Sequence, residues 1–157
     1  RHLQGSENHL LREFLYEAIY IPEGVIPPSK EVVDLPELKL YIENFGKKKD
    51  DFCLVADSEG KVVGAVWVRI MNDYGHVDDK TPSLAISLYK EYRSKGIGNH
   101  LMREMFRLLE SKGYSHVSLS VQKANYAAKM YLKLGFKIIN ETEEEFVMLK
   151  DLSESNY

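Results

Sequence analysis

Apolar residues recur every three or four positions in several stretches of this chain, a spacing that is typical of helices with one buried face. Ser6 is the expected N-terminal cap of the first helix, and Gly113 suits the left-handed residue that ends the third. The predicted helices cover residues 7–19, 36–45, 97–112 and 125–134.

Shorter runs of apolar and β-branched residues lie between these helices and predict strands. The turn at residues 57–60 joins the first two strands into a hairpin, and an acidic turn joins the last two. The predicted strands cover residues 52–56, 61–71, 84–88, 116–121, 137–140 and 145–149. This order of elements predicts an α/β or α+β fold of three layers, in which helices cover both faces of a mixed sheet of about six to seven strands.

Length and composition narrow the class of protein. The 157 residues fit one domain over residues 1–157, because domains usually hold ~100–200 residues. The net charge of -3 gives no broad basic surface for nucleic acid or a membrane. Cys53 is the one cysteine of the sequence and fits a reducing compartment without disulfides.

The sequence shows no apolar run near the ~20 residues that span a bilayer, and its N-terminal residues are polar rather than signal-like. We therefore expect a cytoplasmic protein. The chain begins at Arg1 rather than Met, and this leaves open that a few residues of a first strand precede it.

Residues 93–98, with the sequence Arg-Ser-Lys-Gly-Ile-Gly, lie between an apolar strand and an amphipathic helix. The first N–H groups of a helix have no partner within it and carry roughly +0.5 charge, which suits phosphate oxygens. Gly96 and Gly98 allow the backbone to curl around an anion with positive φ, and Arg93 and Lys95 add positive charge. The segment thus has the chemistry of a pyrophosphate cradle.

Two other nucleotide motifs do not fit this segment. A dinucleotide-binding G-x-G-x-x-G needs glycine where the chain has Leu101, and a P-loop needs Lys-Ser/Thr where Gly98 is followed by Asn99 and His100. Taken alone, the segment is equally compatible with a tight glycine turn that binds nothing.

A second motif in the last predicted helix makes the match specific. With both motifs and this order of elements, the chain resembles the GNAT superfamily of acyl-CoA N-acyltransferases, whose fold has a mostly antiparallel central sheet. The matching residues are Arg93, Gly96 and Gly98 in the first motif, R/Q-x-x-G-x-G/A, and Asn125, Ala128, Tyr131, Gly135 and Phe136 in the second. Lys90 and Ser94 stand where the family often has proline and glycine, and neither change removes a backbone donor.

The resemblance implies acetyl-CoA, or another acyl-CoA, as a co-substrate bound between strands 84–88 and 116–121. The pyrophosphate would rest on backbone amides at the start of the helix, and Asn125 would hydrogen-bond the pantetheine arm. The cofactor-binding residues implied in this way are Leu88, Arg93, Ser94, Lys95, Gly96, Ile97, Gly98, Asn99, Asn125, Ala128 and Tyr131.

The same resemblance implies catalytic roles for Leu88 and Tyr131. The backbone N–H of Leu88 would stabilise the oxyanion that forms when an amine attacks the thioester. Tyr131 would face the sulfur, and because phenols titrate near ~10 it would still carry a proton for the departing thiolate. We therefore expect acetyl transfer to a primary amine. A non-catalytic acyl-CoA sensor, or a transferase with a longer acyl donor or a hydroxyl acceptor, stays open.

The group that removes the amine proton is not defined by a motif. Several titratable side chains lie in loops that border the acceptor site of the family: Glu23, Asp73, Tyr74, His76, Asp78 and Asp79. The alternative is that the aspartates are turn residues, which favour local hydrogen bonds.

The remaining conspicuous residues have simpler explanations. The histidines show no ligand spacing, so no metal site is expected. Cys53 and Trp67 are expected in the core, although Trp67 is also a candidate for the acceptor pocket, and residues 141–145 are expected to form an exposed turn. We expect the acceptor to be a small-molecule or peptide amine, whose pocket would be built from loops. Dimers are common in the family, which leaves a homodimer open.

Overall fold

The computed structural model describes residues 1–73 and 75–153. The helices are α1 Leu10–Ala18, α2 Pro36–Lys39, α3 Ile97–Ser111 and α4 Ala127–Lys133. The strands are β1 Phe52–Ser58, β2 Lys61–Arg69, β3 Ser83–Leu88, β4 His116–Gln122, β5 Lys137–Glu141 and β6 Glu145–Asp151. Short 3₁₀ turns occupy Gly5–Glu7, Lys30–Asp34 and Lys90–Tyr92.

The start of the first helix differs from the prediction. Ser6 does not cap it, because α1 begins at Leu10 and is preceded by His9. The Glu7 carboxylate instead accepts from the Gln4 N–H at 2.9 Å and from the Arg1 guanidinium, so these residues close a separate 3₁₀ turn.

The second helix is shorter than predicted, because a buried arginine donates hydrogen bonds to backbone carbonyls of the segment that follows the helix. Arg69 donates to the Leu40 and Glu43 carbonyls at 3.0 and 2.8 Å. Its guanidinium also binds both carboxylate oxygens of Asp51, and both side chains are buried. This charged contact holds residues 40–51 in turns against the end of β2.

The six strands form one sheet in the order β1-β2-β3-β4-β6-β5. The neighbouring strands are antiparallel except β3 and β4, which are parallel. At the outer edge of β1, His2 forms a bridge with Leu54. The predicted mixed, mostly antiparallel sheet is confirmed.

Alternation along the strands separates two apolar layers. In β2, Val66 and Val68 belong to the apolar cluster that includes α3 and α4, whereas Ala65 and Trp67 belong to the cluster that includes α1 and the segment around α2. Helices therefore cover both faces of the sheet, as predicted from the order of elements. Among the described residues, no helix is long and apolar enough to cross a bilayer.

The two parallel strands separate soon after they meet. Their one ladder pair is Ser83 with Ser118, and the Ser118 N–H donates to the Pro82 carbonyl at 3.0 Å. β3 stays paired with β2 as far as Leu88, and β4 stays paired with β6 as far as Gln122. A wedge-shaped gap consequently opens between the C-terminal halves of β3 and β4.

Candidate active site

Two cavities meet in the gap between β3 and β4. The first, which we call the trough, has a volume of about 470 Å³ and lies against the start of α3 and α4. The second, which we call the acceptor cavity, has a volume of about 250 Å³ and lies against α1 and α2. Ile86 and Tyr131 line both, so these two side chains mark the junction.

The backbone N–H of Leu88 points into the gap. The Tyr89 N–H donates to the Val63 carbonyl at 3.0 Å, which places residue 89 in a hydrogen-bonded pair with β2. Alternate residues of an antiparallel ladder direct their N–H groups to the same side. Ser87 therefore faces β2, and Ile86 and Leu88 direct their N–H groups toward the separated β4.

The start of α3 presents unpaired backbone donors to the trough. Gly96 precedes the helix with φ +86°, and the His100 N–H makes a helical bond to its carbonyl at 3.2 Å. The N–H groups of Ile97, Gly98 and Asn99 precede that bond and have no acceptor within the helix. Ser94 is also left-handed, with φ 60°, so the chain turns sharply around this point.

The two glycines of the segment have different roles. Only Gly96 has positive φ, so the prediction that both adopt it is wrong for Gly98, which lies in the first turn of α3. A Cβ atom on Gly98 would lie 3.8 Å from Leu88 Cδ1 and 3.9 Å from Met130 Sδ. Gly98 thus leaves the floor of the trough open rather than permitting an unusual backbone conformation.

Arg93 ties the end of β3 to the end of α1. Its Nε donates to the Leu88 carbonyl at 2.9 Å, and Nη2 lies 3.2 Å from both the carbonyl and the carboxylate of Glu17. The side chain lines the trough and is 42% exposed. Its guanidinium therefore holds the end of β3 against the end of α1 at the wall of the trough.

Tyr131 reaches the junction from the buried face of α4. The residue is 8% exposed, and its ring packs edge-on against Phe136 with 6.0 Å between centroids. Burial raises the pKa of Tyr131 to about 12, because the charged phenolate would be poorly solvated there. The hydroxyl consequently keeps its proton at any physiological pH.

Asn125 forms the corner between β4 and α4. Its Oδ1 accepts from the Ala127 N–H at 2.9 Å, and its side chain lines the acceptor cavity rather than the trough. This bond fixes the amide plane and turns Nδ2 away from the helix.

The structure brings most of the predicted cofactor residues together. The trough is lined by Leu88, Arg93, Ser94, Gly96, Gly98, Asn99 and Tyr131. Three others have side chains elsewhere. Ile97 and Ala128 pack in the core, and Lys95 Nζ lies 5.8 Å from the ring centroid of Tyr92.

The candidate bases are dispersed, and Tyr74 lies outside the described residues. Asp78 accepts from the Lys80 N–H at 2.8 Å, which lowers its pKa. Asp78 and Asp79 line a different cavity with His116, at the end of β4 remote from the gap. The interpretation of Asp78 as a turn residue is thus correct.

The other loop candidates are also engaged or remote. Asp73 accepts from the hydroxyls of Tyr41 and Ser83 at 2.9 and 2.8 Å. His76 Nδ1 lies 2.9 Å from the Met71 carbonyl, and Glu23 is in an exposed turn. None of these three side chains lines the acceptor cavity as the structure describes it.

Glu145 is the acidic residue that the sequence did not single out. The prediction of an exposed turn is wrong for this residue, which is half-buried and lines the acceptor cavity. It is the first residue of β6 and pairs with Gln122, so the docking of β6 beside β4 carries it into the site. Trp67 and Cys53 are buried, as predicted for core residues.

Comparison with known proteins agrees with this architecture. The profile of the Acetyltransferase (GNAT) family matches residues 15–136. The N-acetylaspartate synthetase of Xenopus tropicalis is 35% identical over 109 residues, which cover 68% of this chain and 38% of that protein. N-acetyltransferase family 8 member 3 of Mus musculus is 32% identical over 89 residues, or 56% of this chain and 39% of that protein. The chain thus spans about two fifths of the length of these curated relatives.

A solved structure has the same fold along almost the whole chain. The PaiA N-acetyltransferase of Thermoplasma acidophilum, crystallised with coenzyme A, superposes with a TM-score of 0.67 at 23% sequence identity, covering 96% of each chain. The chain belongs to the GNAT family of acetyltransferases. The resemblance inferred from the two motifs is confirmed.

Proposed function

We propose that this protein transfers an acetyl group from acetyl-CoA to a primary amine by direct attack of the amine on the thioester. The observation that carries the proposal is the junction of the trough and the acceptor cavity at Ile86 and Tyr131. Two substrates that enter from opposite faces of the sheet would meet there. The family name and the coenzyme A in the PaiA structure agree with this chemistry.

The described residues fit coenzyme A as a co-substrate. The left-handed Gly96 directs unpaired N–H groups at the start of α3 toward the trough, where they would hold the pyrophosphate. Lys129 and Lys133 also line the trough and add positive charge beside Arg93. The backbone donors of β3 would hold the pantetheine arm, and Asn125, which lines the acceptor cavity, would meet that arm where the two cavities join. Acetyl-CoA would supply the activated acyl group.

Leu88 and Tyr131 would have the two catalytic roles, stabilising the oxyanion and protonating the leaving thiolate. The Leu88 N–H, which β2 leaves unpaired, would bind the thioester oxygen as negative charge develops on it. Tyr131 would donate its proton to the departing sulfur, since its raised pKa keeps the hydroxyl protonated. The proton that the attacking amine loses would return to the phenolate through solvent.

The proposal is tested by release of the CoA thiol from acetyl-CoA against a panel of amines and peptides. We expect thiol release that depends on the amine and saturates with both substrates. Acetyl-CoA binding without thiol release across the panel would contradict the proposal and favour the acyl-CoA sensor. One relative is named as an N-acetylaspartate synthetase, and one protein of similar fold is named as a ribosomal-protein-S18-alanine N-acetyltransferase. The panel therefore includes aspartate and peptides as well as simple amines.

A further inference from the structure

Within the described ranges, the acceptor cavity is lined by charge of a single sign, which is negative. Among the described residues that line it, Glu145 is the one charged side chain, and none is Lys, Arg or His. Tyr74 and residues 154–157, which lie outside the described ranges, add no Lys, Arg or His to the sequence. An acceptor that carries a carboxylate would therefore find a like charge in the cavity and no counter-ion.

The Glu145 carboxylate is available to a ligand. Within the described parts of the chain it has no hydrogen bond or ion pair through its side chain, whereas Glu141 of the same hairpin pairs with Lys123 at 3.0 Å. Its negative charge contributes to the raised pKa of Tyr41, which burial dominates, so the two side chains share one electrostatic environment. The nearby Asp73 is already bound by two hydroxyls.

The remaining walls select for size and polarity. Leu15, Ile19, Leu38 and Leu84 supply apolar surface, and Tyr20 and Tyr41 supply aromatic surface with a polar end. Ligand pockets usually measure ~300–1,000 Å³, so a cavity of about 250 Å³ suits a small group. Apolar walls with one negative charge match a short cation that has an apolar body.

We infer, on the basis of the acetyl transfer proposed above, that the acceptor is a small alkylammonium or arylalkylammonium group without a carboxylate, and that Glu145 binds its positive charge. The bound ammonium then loses one proton to solvent, and the neutral amine attacks the thioester. Amino acids such as aspartate are poor acceptors, because their carboxylates are repelled by Glu145 and unpaired in the cavity. A free amine and the side chain of a lysine share this chemistry.

Matched pairs that differ by one carboxylate test the inference directly. We expect kcat/KM for phenethylamine and agmatine to exceed that for phenylalanine and arginine by at least tenfold, with aspartate inactive. Equal or higher values for the amino acids would overturn it while leaving acetyl transfer established. Nα-acetyl-lysinamide is the third arm, and a kcat/KM above that of every free amine would identify a lysine side chain as the source of the ammonium.

Glu145→Gln separates charge from shape. We expect this variant to raise the KM for phenethylamine at least tenfold with an unchanged KM for acetyl-CoA. Glu144→Gln is the matched control, because Glu144 is exposed in the adjoining turn and does not line the acceptor cavity as described. Identical kinetics of the two variants would overturn the role of Glu145.

A binding measurement keeps the inference distinct from the proposed reaction. If no amine releases thiol, the proposed acetyl transfer is wrong. The recognition of a cation is then tested separately, by the melting temperature of the protein with added phenethylamine or phenylalanine. Stabilisation of the wild type by the amine alone, lost in Glu145→Gln, supports the recognition of a cation. Equal stabilisation by both compounds, or none by either, overturns it.

Discussion

Gly64 and Leu88 face each other across β2 and β3, and a Cβ atom on Gly64 would lie 2.0 Å from Leu88 Cδ2. The other methyl of Leu88 lies 3.8 Å from where a Cβ of Gly98 would be. Gly64 thus leaves the space that the Leu88 side chain occupies against β2, at the residue that carries the proposed oxyanion donor.

Gly64→Ala is expected to lower kcat by at least about tenfold, because displacing a reacting group by ~1 Å can cost ~10² in rate. The added methyl must move Leu88, because both Cδ2 at 2.0 Å and Cγ at 3.1 Å would be too close, and rotation of the terminal methyl alone does not relieve both contacts. Steady-state kinetics at saturating acetyl-CoA measure the effect.

Gly5→Ala is the control for this substitution, since a Cβ there meets nothing within 4 Å and the backbone does not have positive φ. Its kcat and melting temperature should equal those of the wild type. In the double variant Gly64→Ala/Leu88→Ala the clash is removed and the Leu88 N–H is kept, so kcat should recover relative to Gly64→Ala. A lack of recovery would contradict the positioning role.

Tyr131→Phe is expected to lower kcat about 10²-fold with little change in the KM for acetyl-CoA, as loss of a proton donor in the transition state should. The aromatic contact with Phe136 is kept, so the melting temperature should change little. Because the pKa of Tyr131 is about 12, the wild-type rate should not fall between pH 8 and 10 through ionisation of this group. An unchanged kcat in the variant would remove Tyr131 from the mechanism.

Gly96→Ala is expected to raise the KM for acetyl-CoA about tenfold with a small effect on kcat. A residue with a Cβ is strained at φ +86° by ~1–2 kcal/mol and would reorient the first N–H groups of α3.

Gly113→Ala is the matched control, because Gly113 has φ +90° at the other end of the same helix and also meets open space. Both variants should lose similar stability in urea unfolding, but only Gly96→Ala should weaken acetyl-CoA binding. Equal KM values in the two variants would exclude a specific role for the start of α3.

The buried thiol of Cys53 predicts a pH dependence of stability. Burial raises the pKa of Cys53 to about 12, whereas the thiol of the unfolded chain ionises near ~8.5. The contribution of the buried thiol to the free energy of unfolding is fully present below the pKa of the unfolded chain, and it is lost as the pH rises toward 12. The free energy of unfolding should therefore fall by up to about 1.4 kcal/mol per pH unit above pH 9 through this group. Cys53→Ala should show a shallower decline between pH 9 and 11 in urea titrations, and parallel curves would contradict the assignment.

Local sequence patterns predicted the elements well where local and tertiary preferences agree. The apolar run of β2 and the apolar spacing of α3 appear in the structure within a few residues. The prediction failed at Ser6 and after Lys39, where the carboxylate of Glu7 and the guanidinium of Arg69 bind backbone groups from other positions. Such competing partners cannot be read from spacing.

The two motifs are also local in the sequence, and the structure brings residues of both to the trough. Gly96 and Tyr131 were identifiable from the sequence because each lies in a short segment that resembles a motif of the family. The sequence by itself determined the order of elements, the family and the position of the trough. The tertiary structure decided that Arg93 binds Leu88 and Glu17, that Asp78 lies away from the gap, and that Glu145 faces the acceptor cavity. These depend on how β6 docks beside β4 and where β3 and β4 separate, because strand pairing joins residues that are distant in the chain.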